Sequence, residues 1–174
     1  DANRPIALAG IMGGANSEVT EQTTDILLEA AYFSPARVRR TAAALGLQTE
    51  ASSRFERGAD WAMPAFASDR VAGLIAELAG GEVCAPLVDV FPRTPGRTLI
   101  DLRIDRLNGL LATELSSQQC ARILELLGCR LETETEGLLR IEAPSFRPDL
   151  TRESDLIEEV GRIFGYDRVE ASPT

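Results

Sequence analysis

Pro92-Arg93-Thr94-Pro95-Gly96 is the stretch that divides this chain, because it places two prolines and one glycine within five residues. Proline lacks a backbone hydrogen-bond donor and glycine makes the backbone more flexible, so a cluster of both is typical of a domain boundary. We therefore predict a first domain at residues 1–92, a linker at 93–97 and a second domain at 98–174. The length of 174 residues and the apolar content of 44% are sufficient for two small cores.

The part before this boundary mixes short apolar runs with helical periodicity. We predict strands at residues 5–10, 24–31 and 86–91, although the composition of 24–31 also permits a helix. Apolar residues at helical spacing, bounded by proline and glycine, predict helices at 34–45 and 64–80. The polar stretch 48–58 has at most one helical turn.

The part after the boundary predicts three helices and three strands. A strand is expected at residues 98–102, and helices at 104–110, 116–127 and 151–164. Alternating segments at 129–134 and 138–142 flank a glycine-containing turn, which is a hairpin signal. The chain as a whole is therefore assigned to the α+β class, with a small helix-rich second domain that contains a β-hairpin.

Composition excludes several classes of function. The net charge is −9, and acids outnumber bases on both sides of Pro95, whereas a free-standing nucleic-acid binder is usually basic. The chain has no histidine, which excludes Ser-His-Asp and Cys-His catalysis within it and any His-ligated metal. Its three cysteines form no CxxC pair, so we predict ordinary buried thiols. No apolar run can cross a bilayer and no signal-peptide pattern is present, so we expect a cytoplasmic protein without a membrane partner.

An acidic helix near the end of the sequence is the most chemically suggestive segment. Asp155, Glu158 and Glu159 follow i, i+3, i+4 spacing, which places three carboxylates on one helical face. Asp149 precedes the helix and can fold back over its first turn. Oxygen-only ligation suits Mg²⁺. The alternative is a solvated acidic face, favoured by the helix dipole and neutralised by nearby arginines.

A glycine-rich turn and an isolated acid mark the first part. Gly10-Ile11-Met12-Gly13-Gly14 is neither GxGxxG nor a P-loop, so a backbone wall for a small ligand is favoured over a nucleotide site. Glu29 interrupts an apolar segment and either faces a pocket or lies on an exposed strand face. Thr49 and Ala51 carry no signal by themselves.

Taken together, these segments resemble the beta subunit of bacterial phenylalanyl-tRNA synthetases over essentially the whole chain. The resemblance is carried by several long motifs in the same order, namely GIMGG at 10–14, ILLEAAYFSP at 26–35, LGLQTEASSRFERG at 45–58, RLNGLL at 106–111, PSFRPD at 144–149 and DLIEEVGRIFGY at 155–166.

The resemblance implies the C-terminal part of the B3/B4 editing domain, followed by the B5 domain. The family's enzyme is an α2β2 heterotetramer that joins phenylalanine to tRNA(Phe) with ATP, and the site for this reaction is on the alpha subunit. Its editing pocket hydrolyses tyrosine wrongly attached to the tRNA. Gly13, Glu29, Thr49 and Ala51 match positions that line this pocket, with Glu29 where the tyrosine hydroxyl is recognised.

The resemblance also implies a cofactor site. Asp149, Asp155, Glu158 and Glu159 match the positions at which the family's B5 domain binds Mg²⁺. The upstream half of B3/B4, including a pocket histidine, lies outside this sequence, so the segment alone is not expected to edit. The alternative function is a non-catalytic module that binds RNA or braces the alpha subunit, and the acidic charge favours bracing.

Overall fold

The computed structural model describes residues 2–84, 87–92 and 95–168. These residues form helices and small antiparallel sheets, which confirms the α+β class. The chain divides into two compact units, Asp1–Arg93 and Thr94–Thr174. The domain limits given above remain a prediction. No helix in the described part of the chain combines the length and apolarity that crossing a bilayer requires.

A two-stranded hairpin begins the first unit. Strand β1 (Ala7–Leu8) pairs antiparallel with β2 (Met12–Gly13), so the strand predicted at 5–10 is reduced to two residues. Gly10, in the connecting turn, has a φ of 69°, and a Cβ built there would lie 2.9 Å from the Phe33 ring. Only glycine fits this turn without strain.

Three helices follow the hairpin. Helix α1 (Pro35–Leu45) ends at Gly46 in the left-handed conformation, and α3 (Pro64–Ala79) ends at Gly80 in the same way. Both helices were predicted from their proline and glycine ends and are confirmed. Helix α2 (Glu50–Phe55) is six residues long and exceeds the single turn expected there.

Two strands predicted for this unit are wrong. Residues 24–31 form neither a strand nor a helix, and residues 87–91 form no strand, while Pro86 lies outside the described residues. Leu27 in the first segment is 95% exposed. An extended segment becomes a strand only when a neighbour accepts its backbone hydrogen bonds, and no described strand pairs with either segment.

The first unit has a small core. Ile11 from the hairpin turn is buried against Val38 and Ala42 of α1. Phe33 and Phe55 pack beside them in an edge-to-face arrangement, with ring centroids 5.0 Å apart. This cluster fixes the hairpin to α1 and α2. By contrast, α3 has no buried residue.

Besides the elements given above, the first unit has one 3-10 turn at Ala15–Ser17, and the second unit contains the remaining regular elements. Apart from a final 3-10 turn at Tyr166–Arg168, every one was predicted within about two residues of its bounds, and all are confirmed. In chain order they are β3 (Thr98–Arg103), α4 (Ile104–Leu111), α5 (Ser117–Leu126), β4 (Arg130–Thr135), β5 (Leu138–Ala143) and α6 (Glu153–Phe164).

A three-stranded antiparallel sheet with strand order β3-β5-β4 organises the second unit. Its inner face is covered by the three helices, and the core they enclose is contiguous. Its outer face carries cross-strand ion pairs, including Asp101 with Arg140 and Arg97 with Glu142. Apolar alternation on one face therefore sets the register, and charge pairs cover the other face.

Asn108, part of the RLNGLL motif, has a structural explanation. Its side-chain amide donates to the Leu115 carbonyl at 2.9 Å, and its oxygen accepts from the Leu115 amide at 2.8 Å and the Thr113 hydroxyl at 2.9 Å. These bonds close the loop between α4 and α5, where Ala112 has a φ of 50°.

The three cysteines are free thiols, and two of them are buried as predicted. Burial raises the pKa of Cys120 to about 11 and also raises the pKa of Cys129. Both are therefore protonated and unreactive at neutral pH. The prediction of burial is wrong for Cys84, which is exposed because its segment belongs to no packed element.

Candidate functional site

The first unit contains an open pocket of about 680 Å³. Its walls are the β1–β2 hairpin, the extended segment from residue 29 to 33 and the beginning of α2. Gly13, Glu29, Thr49 and Ala51, which are up to 38 positions apart in the chain, all line it. The structure therefore brings the four predicted pocket residues to one concave surface.

Thr49 connects two walls of the pocket. Its hydroxyl donates to the Ile11 carbonyl in the hairpin turn at 2.5 Å and accepts from the Ser52 amide at 3.0 Å. The first bond fixes the glycine-rich turn, and the second caps the start of α2. Both hydrogen-bonding functions of the hydroxyl are thus used within the fold, so Thr49 acts as a positioning residue.

Gly13 and Ala51 keep the pocket open. No heavy atom lies within 4 Å of the place where a Cβ on Gly13 would be. The next residue differs, because a Cβ on Gly14 would lie 2.6 Å from the Ile6 carbonyl oxygen. Gly14 is therefore required by the hairpin itself, whereas Gly13 leaves unfilled space in the pocket wall.

Glu29 places a carboxylate at the pocket. Its side chain is exposed and lies on the extended segment between Leu28 and Ala30 rather than on a paired strand. Glu29 therefore lies on neither a buried nor a paired strand, and its role as a ligand-binding residue remains a prediction. A carboxylate at this position can accept a hydrogen bond from a ligand hydroxyl.

Ser52 is a supporting residue that sequence reasoning missed. It is 1% exposed, and its hydroxyl accepts from the Thr49 amide at 2.9 Å and donates to the Thr49 carbonyl at 3.0 Å. With the Thr49 cap these bonds complete a capping box. The spacing of Thr49 and Ser52, with the hydroxyl residues at N-cap and N3, was the available signal.

In the second unit, the predicted magnesium ligands have other partners. Arg147 lies between Asp149 and Glu159, with distances of 2.6 Å and 3.0 Å from its Nη2 to their oxygens. Arg162 approaches the other Glu159 oxygen at 2.5 Å. Glu159 is only 9% exposed, so the two guanidinium groups neutralise a largely buried carboxylate.

Asp155 and Glu158 point to different surroundings. Asp155 Oδ2 accepts from the backbone amides of Thr151 at 2.9 Å and Arg152 at 2.8 Å, which caps the first turn of α6. Glu158 is exposed. Although i, i+3, i+4 spacing puts the three acids near one another along α6, the cap and the buried ion pair turn their carboxylates apart.

Local partners favour the ionised form of three of these carboxyl groups, those of Asp149, Asp155 and Glu159. Hydrogen bonds from Arg147, and then from Arg162, lower the pKa of Glu159. The Arg147 hydrogen bond lowers the pKa of Asp149, and the Thr151 amide lowers the pKa of Asp155. Arg147 thus stabilises both Asp149 and Glu159, whereas Asp155 is stabilised by backbone amides.

This arrangement does not fit a bound Mg²⁺ ion. Within residues 2–84, 87–92 and 95–168, no group of three or more acidic or cysteine side chains lies close enough to share a metal. The expected convergence of Asp149 over the first turn of α6 is replaced by its pairing with Arg147. Magnesium binding therefore remains a prediction that rests on the resemblance alone.

Comparison with known families assigns a domain to most of each unit. Residues 1–80 match the B3/4 domain, and residues 100–166 match the tRNA synthetase B5 domain. The first match contains the pocket and the second contains the three-stranded sheet with α6. These matches define the chain as a pair of domains of the tRNA-synthetase class.

Similarity to whole proteins narrows this class. The chain is 51% identical over 172 residues to a phenylalanine–tRNA ligase beta subunit from Geobacter sulfurreducens, covering 99% of this chain and 22% of that protein. It is 50% identical over 169 residues to the corresponding subunit from Salinibacter ruber, covering 97% and 20%. The chain belongs to the family of phenylalanine–tRNA ligase beta subunits, and it spans about a fifth of the length of these relatives.

Proposed function

We propose that the first unit contributes a proofreading pocket, in which tyrosine wrongly attached to tRNA(Phe) is removed by hydrolysis. The observation that carries the proposal is the meeting of Gly13, Glu29, Thr49 and Ala51 around one cavity of about 680 Å³. Pockets that hold small ligands have volumes of about 300–1,000 Å³. A tyrosyl group therefore fits a space of this size.

Selectivity for tyrosine would come from Glu29. Its carboxylate can accept a hydrogen bond from the phenol hydroxyl, which phenylalanine lacks. A site that binds a substrate hydroxyl discriminates well against the analogue without it when the bound ligand shields the polar group from water, because that group is then left unpaired. The small side chains at Gly13 and Ala51 leave space for the ring.

The hydrolytic step requires little chemistry from the described pocket. A water oxygen adds to the ester carbonyl carbon, the bond to the ribose oxygen breaks, and a water proton ends on that oxygen. The products are free tyrosine and the uncharged tRNA. The chain has no histidine to act as a base, so we assign proton transfer to a positioned water and the neighbouring ribose hydroxyl.

The wider activity belongs to the same proposal. The beta subunit would assemble with alpha subunits into an α2β2 ligase in the cytoplasm, with ATP and phenylalanine bound at the alpha-subunit site and tRNA(Phe) shared between subunits. The support is family membership, since the chain spans about a fifth of its relatives. The Mg²⁺ ion proposed for the B5 domain has the same support.

Replacement of Glu29 tests the pocket. In the assembled ligase supplied with tyrosyl-tRNA(Phe), we expect Glu29→Ala to lower kcat/KM for hydrolysis by about 10- to 100-fold, the equivalent of one charge-assisted hydrogen bond. Glu29→Gln should lower kcat/KM less, because its amide oxygen can still accept a hydrogen bond from the tyrosine hydroxyl. Glu18→Ala, an exposed acid outside the pocket, is the matched control. Unchanged discrimination between tyrosyl- and phenylalanyl-tRNA in Glu29→Ala would overturn the assignment.

A bracing role for the second unit is a second candidate. Every arginine from Arg97 to Arg162 takes part in an ion pair with an acid of the same unit. Acids of the same unit compensate the charge of these arginines, which leaves little net positive charge to attract RNA phosphates, so this observation favours contact with protein over contact with RNA. Filter binding of tRNA to residues 96–174 at low salt tests it, and tight binding would contradict the bracing role.

A further inference from the structure

Helix α1 concentrates positive charge in an acidic chain. It carries Arg37, Arg39 and Arg40 and no acid, although the net charge of the chain is −9. All three arginines are exposed, while Val38 and Ala42 on the other side of the helix are buried. We call these three exposed residues the α1 arginine face.

The positive charges of the α1 arginine face are not neutralised by acids in the described part of the chain. Within the described residues none of its members forms an ion pair. Arg39 donates to the Glu56 carbonyl at 3.3 Å, and Arg40 donates to the Ala36 carbonyl of its own helix at 3.3 Å. The second unit differs, since its arginines from Arg97 to Arg162 are all paired. In the described part of the first unit Arg57 and Arg70 are exposed and form no ion pair either, but α1 gathers three such arginines within four residues.

The helix lies next to the pocket. Phe33, which lines the pocket, is two residues before the first residue of α1. The inner side of α1 supports the pocket turn, because a Cβ on Gly10 would lie 3.1 Å from Val38. Arg39 extends to the end of α2, whose first residues line the pocket. A ligand that fills the pocket and continues outward has α1 as a neighbour.

We propose that the α1 arginine face binds backbone phosphates of the RNA strand whose esterified 3′ end enters the pocket. The proposal rests on the proposed function and adds to it the surface that holds the substrate. Arginine pairs well with phosphate, because its planar fork matches two phosphate oxygens. Arg37 and Arg40 are one turn apart, with Cβ atoms about 5–6 Å from each other, so they can hold neighbouring phosphates.

An acidic protein surface is the other polyanion that could meet this face. The contact of Arg39 with Glu56, which follows Phe55 of the pocket lining, favours RNA, since a strand delivering an ester to the pocket comes close to this end of α2. The two partners can be distinguished by what changes when the arginines are replaced. If the face binds RNA, the affinity for tRNA changes, and if it binds protein, subunit assembly changes.

The test uses the assembled ligase with Arg37→Gln plus Arg40→Gln. We measure the Kd for tRNA(Phe) and the hydrolysis of tyrosyl-tRNA(Phe) over a series of salt concentrations. Each single-strand phosphate contact contributes about 0.7 to the slope of log K against log salt, so the slope should become shallower by about 1.4. KM should rise while kcat at saturating tRNA is retained.

Two control variants separate the effect of charge on α1 from the effect of charge elsewhere in the chain. Arg70→Gln plus Arg122→Gln makes the same charge change at exposed positions on α3 and α5, and it should leave the slope at the wild-type value. Arg37→Lys plus Arg40→Lys retains the charge and should retain most of the slope. Thermal unfolding of each variant checks that the fold is intact.

The outcomes separate this proposal from the proposed function. A wild-type slope in the Arg37→Gln plus Arg40→Gln variant overturns the α1 proposal, even if Glu29→Ala abolishes discrimination. Loss of alpha-subunit assembly with an unchanged slope also overturns it, because the face then binds protein. A shallower slope supports it, even if Glu29→Ala leaves discrimination intact and the proofreading role fails.

Discussion

At the scale of single residues, Thr49 shows how a residue can line a pocket and still serve the fold. Its hydroxyl joins the Ile11 carbonyl to the Ser52 amide, and so it fixes the hairpin turn relative to α2. Ile11 is 2% exposed, so its carbonyl has little access to water as a replacement partner. Ala51 and Gly13 contribute differently, because their small size leaves space in the pocket.

Thr49→Val tests this role. Valine has nearly the same shape but removes both hydrogen bonds, so we expect the first unit to lose about 1–2 kcal/mol of stability, the usual effect of deleting a helix cap. Thr49→Ser keeps the hydroxyl and should lose much less. Urea denaturation measures both, and equal stability of wild type and Thr49→Val would show that the hydroxyl has no structural role.

At the scale of elements, arginine pairs and a cap hold α6 in place. Arg147 connects the loop before α6 to Glu159 within it, and Asp155 caps its first turn. The geometry therefore predicts that Mg²⁺ does not bind to these carboxylates while they keep their present partners. If magnesium is bound in the whole ligase, further ligands or a rearrangement of these pairs are required.

Titration with Mg²⁺ checks the prediction for α6. We expect millimolar Mg²⁺ to leave the thermal unfolding of the second unit unchanged, in the wild-type chain and in Asp155→Asn plus Glu159→Gln alike. A stabilisation by Mg²⁺ that disappears in the double variant would contradict the geometry and support the site implied by the resemblance.

The outer face of the three-stranded sheet predicts a dependence on pH. The Arg140 hydrogen bond lowers the pKa of Asp101, and the Arg97 hydrogen bond lowers the pKa of Glu142. The unfolded chain, with values of about 3.9 for Asp and 4.3 for Glu, therefore binds protons first as the pH falls. The stabilisation from these pairs is present above about pH 4–5 and is lost on acidification below it.

Urea unfolding of the second unit at pH 7 and pH 3 measures this effect. We expect the midpoint to fall at pH 3, and to fall less in Asp101→Asn, which has already lost the titrating group. Glu136→Gln, an exposed acid in the hairpin turn, serves as control and should behave as wild type. A midpoint in Asp101→Asn that falls as far as that of wild type would show that the pair with Arg140 contributes nothing.

Sequence reasoning succeeded where local signals and packing agree. All α-helices and strands of the second unit were predicted, because their caps, turns and periodicity match the contiguous core they build. It failed at residues 24–31 and 87–91, where apolar runs predicted strands but no described strand pairs with them. Strand formation depends on partners that a local pattern does not contain.

The candidate sites show the same limit. Glu29 and Thr49 could be placed in one pocket only through the family resemblance, since they are 20 positions apart with no shared periodicity. For Asp155 and Glu159, spacing correctly put both on α6, but it could not show that Arg147 and a helix cap use their oxygens. In both cases the deciding contacts come from residues that lie outside the local pattern.

At the scale of the whole molecule, the two units differ in the size of their cores. Within the described residues, the second unit buries 17 hydrophobic side chains in one cluster and the first buries three. Buried apolar surface is the main source of stability. We therefore expect the first unit to unfold at a lower urea concentration than the second.

Two spectroscopic signals report the unfolding of the two units separately. The chain has one tryptophan, Trp61, which stacks on Phe91 in the first unit, so its fluorescence reports that unit. Far-ultraviolet circular dichroism should show a later transition from the second unit. Leu102→Ala, at a fully buried position, should move only the later transition, with a loss of about 2–5 kcal/mol. A single coincident transition for both signals would contradict independent units.

The strand order β3-β5-β4 has a consequence for the time course of folding. Strands β4 and β5 are joined by a turn of two residues, whereas β3 pairs with β5 across more than thirty residues, from Arg103 opposite Leu138 to Thr98 opposite Ala143. Closing the longer loop loses more chain entropy before any contact forms. The hairpin should therefore form early and β3 should dock late, so that substitutions in β3 accelerate unfolding while those in the hairpin slow refolding.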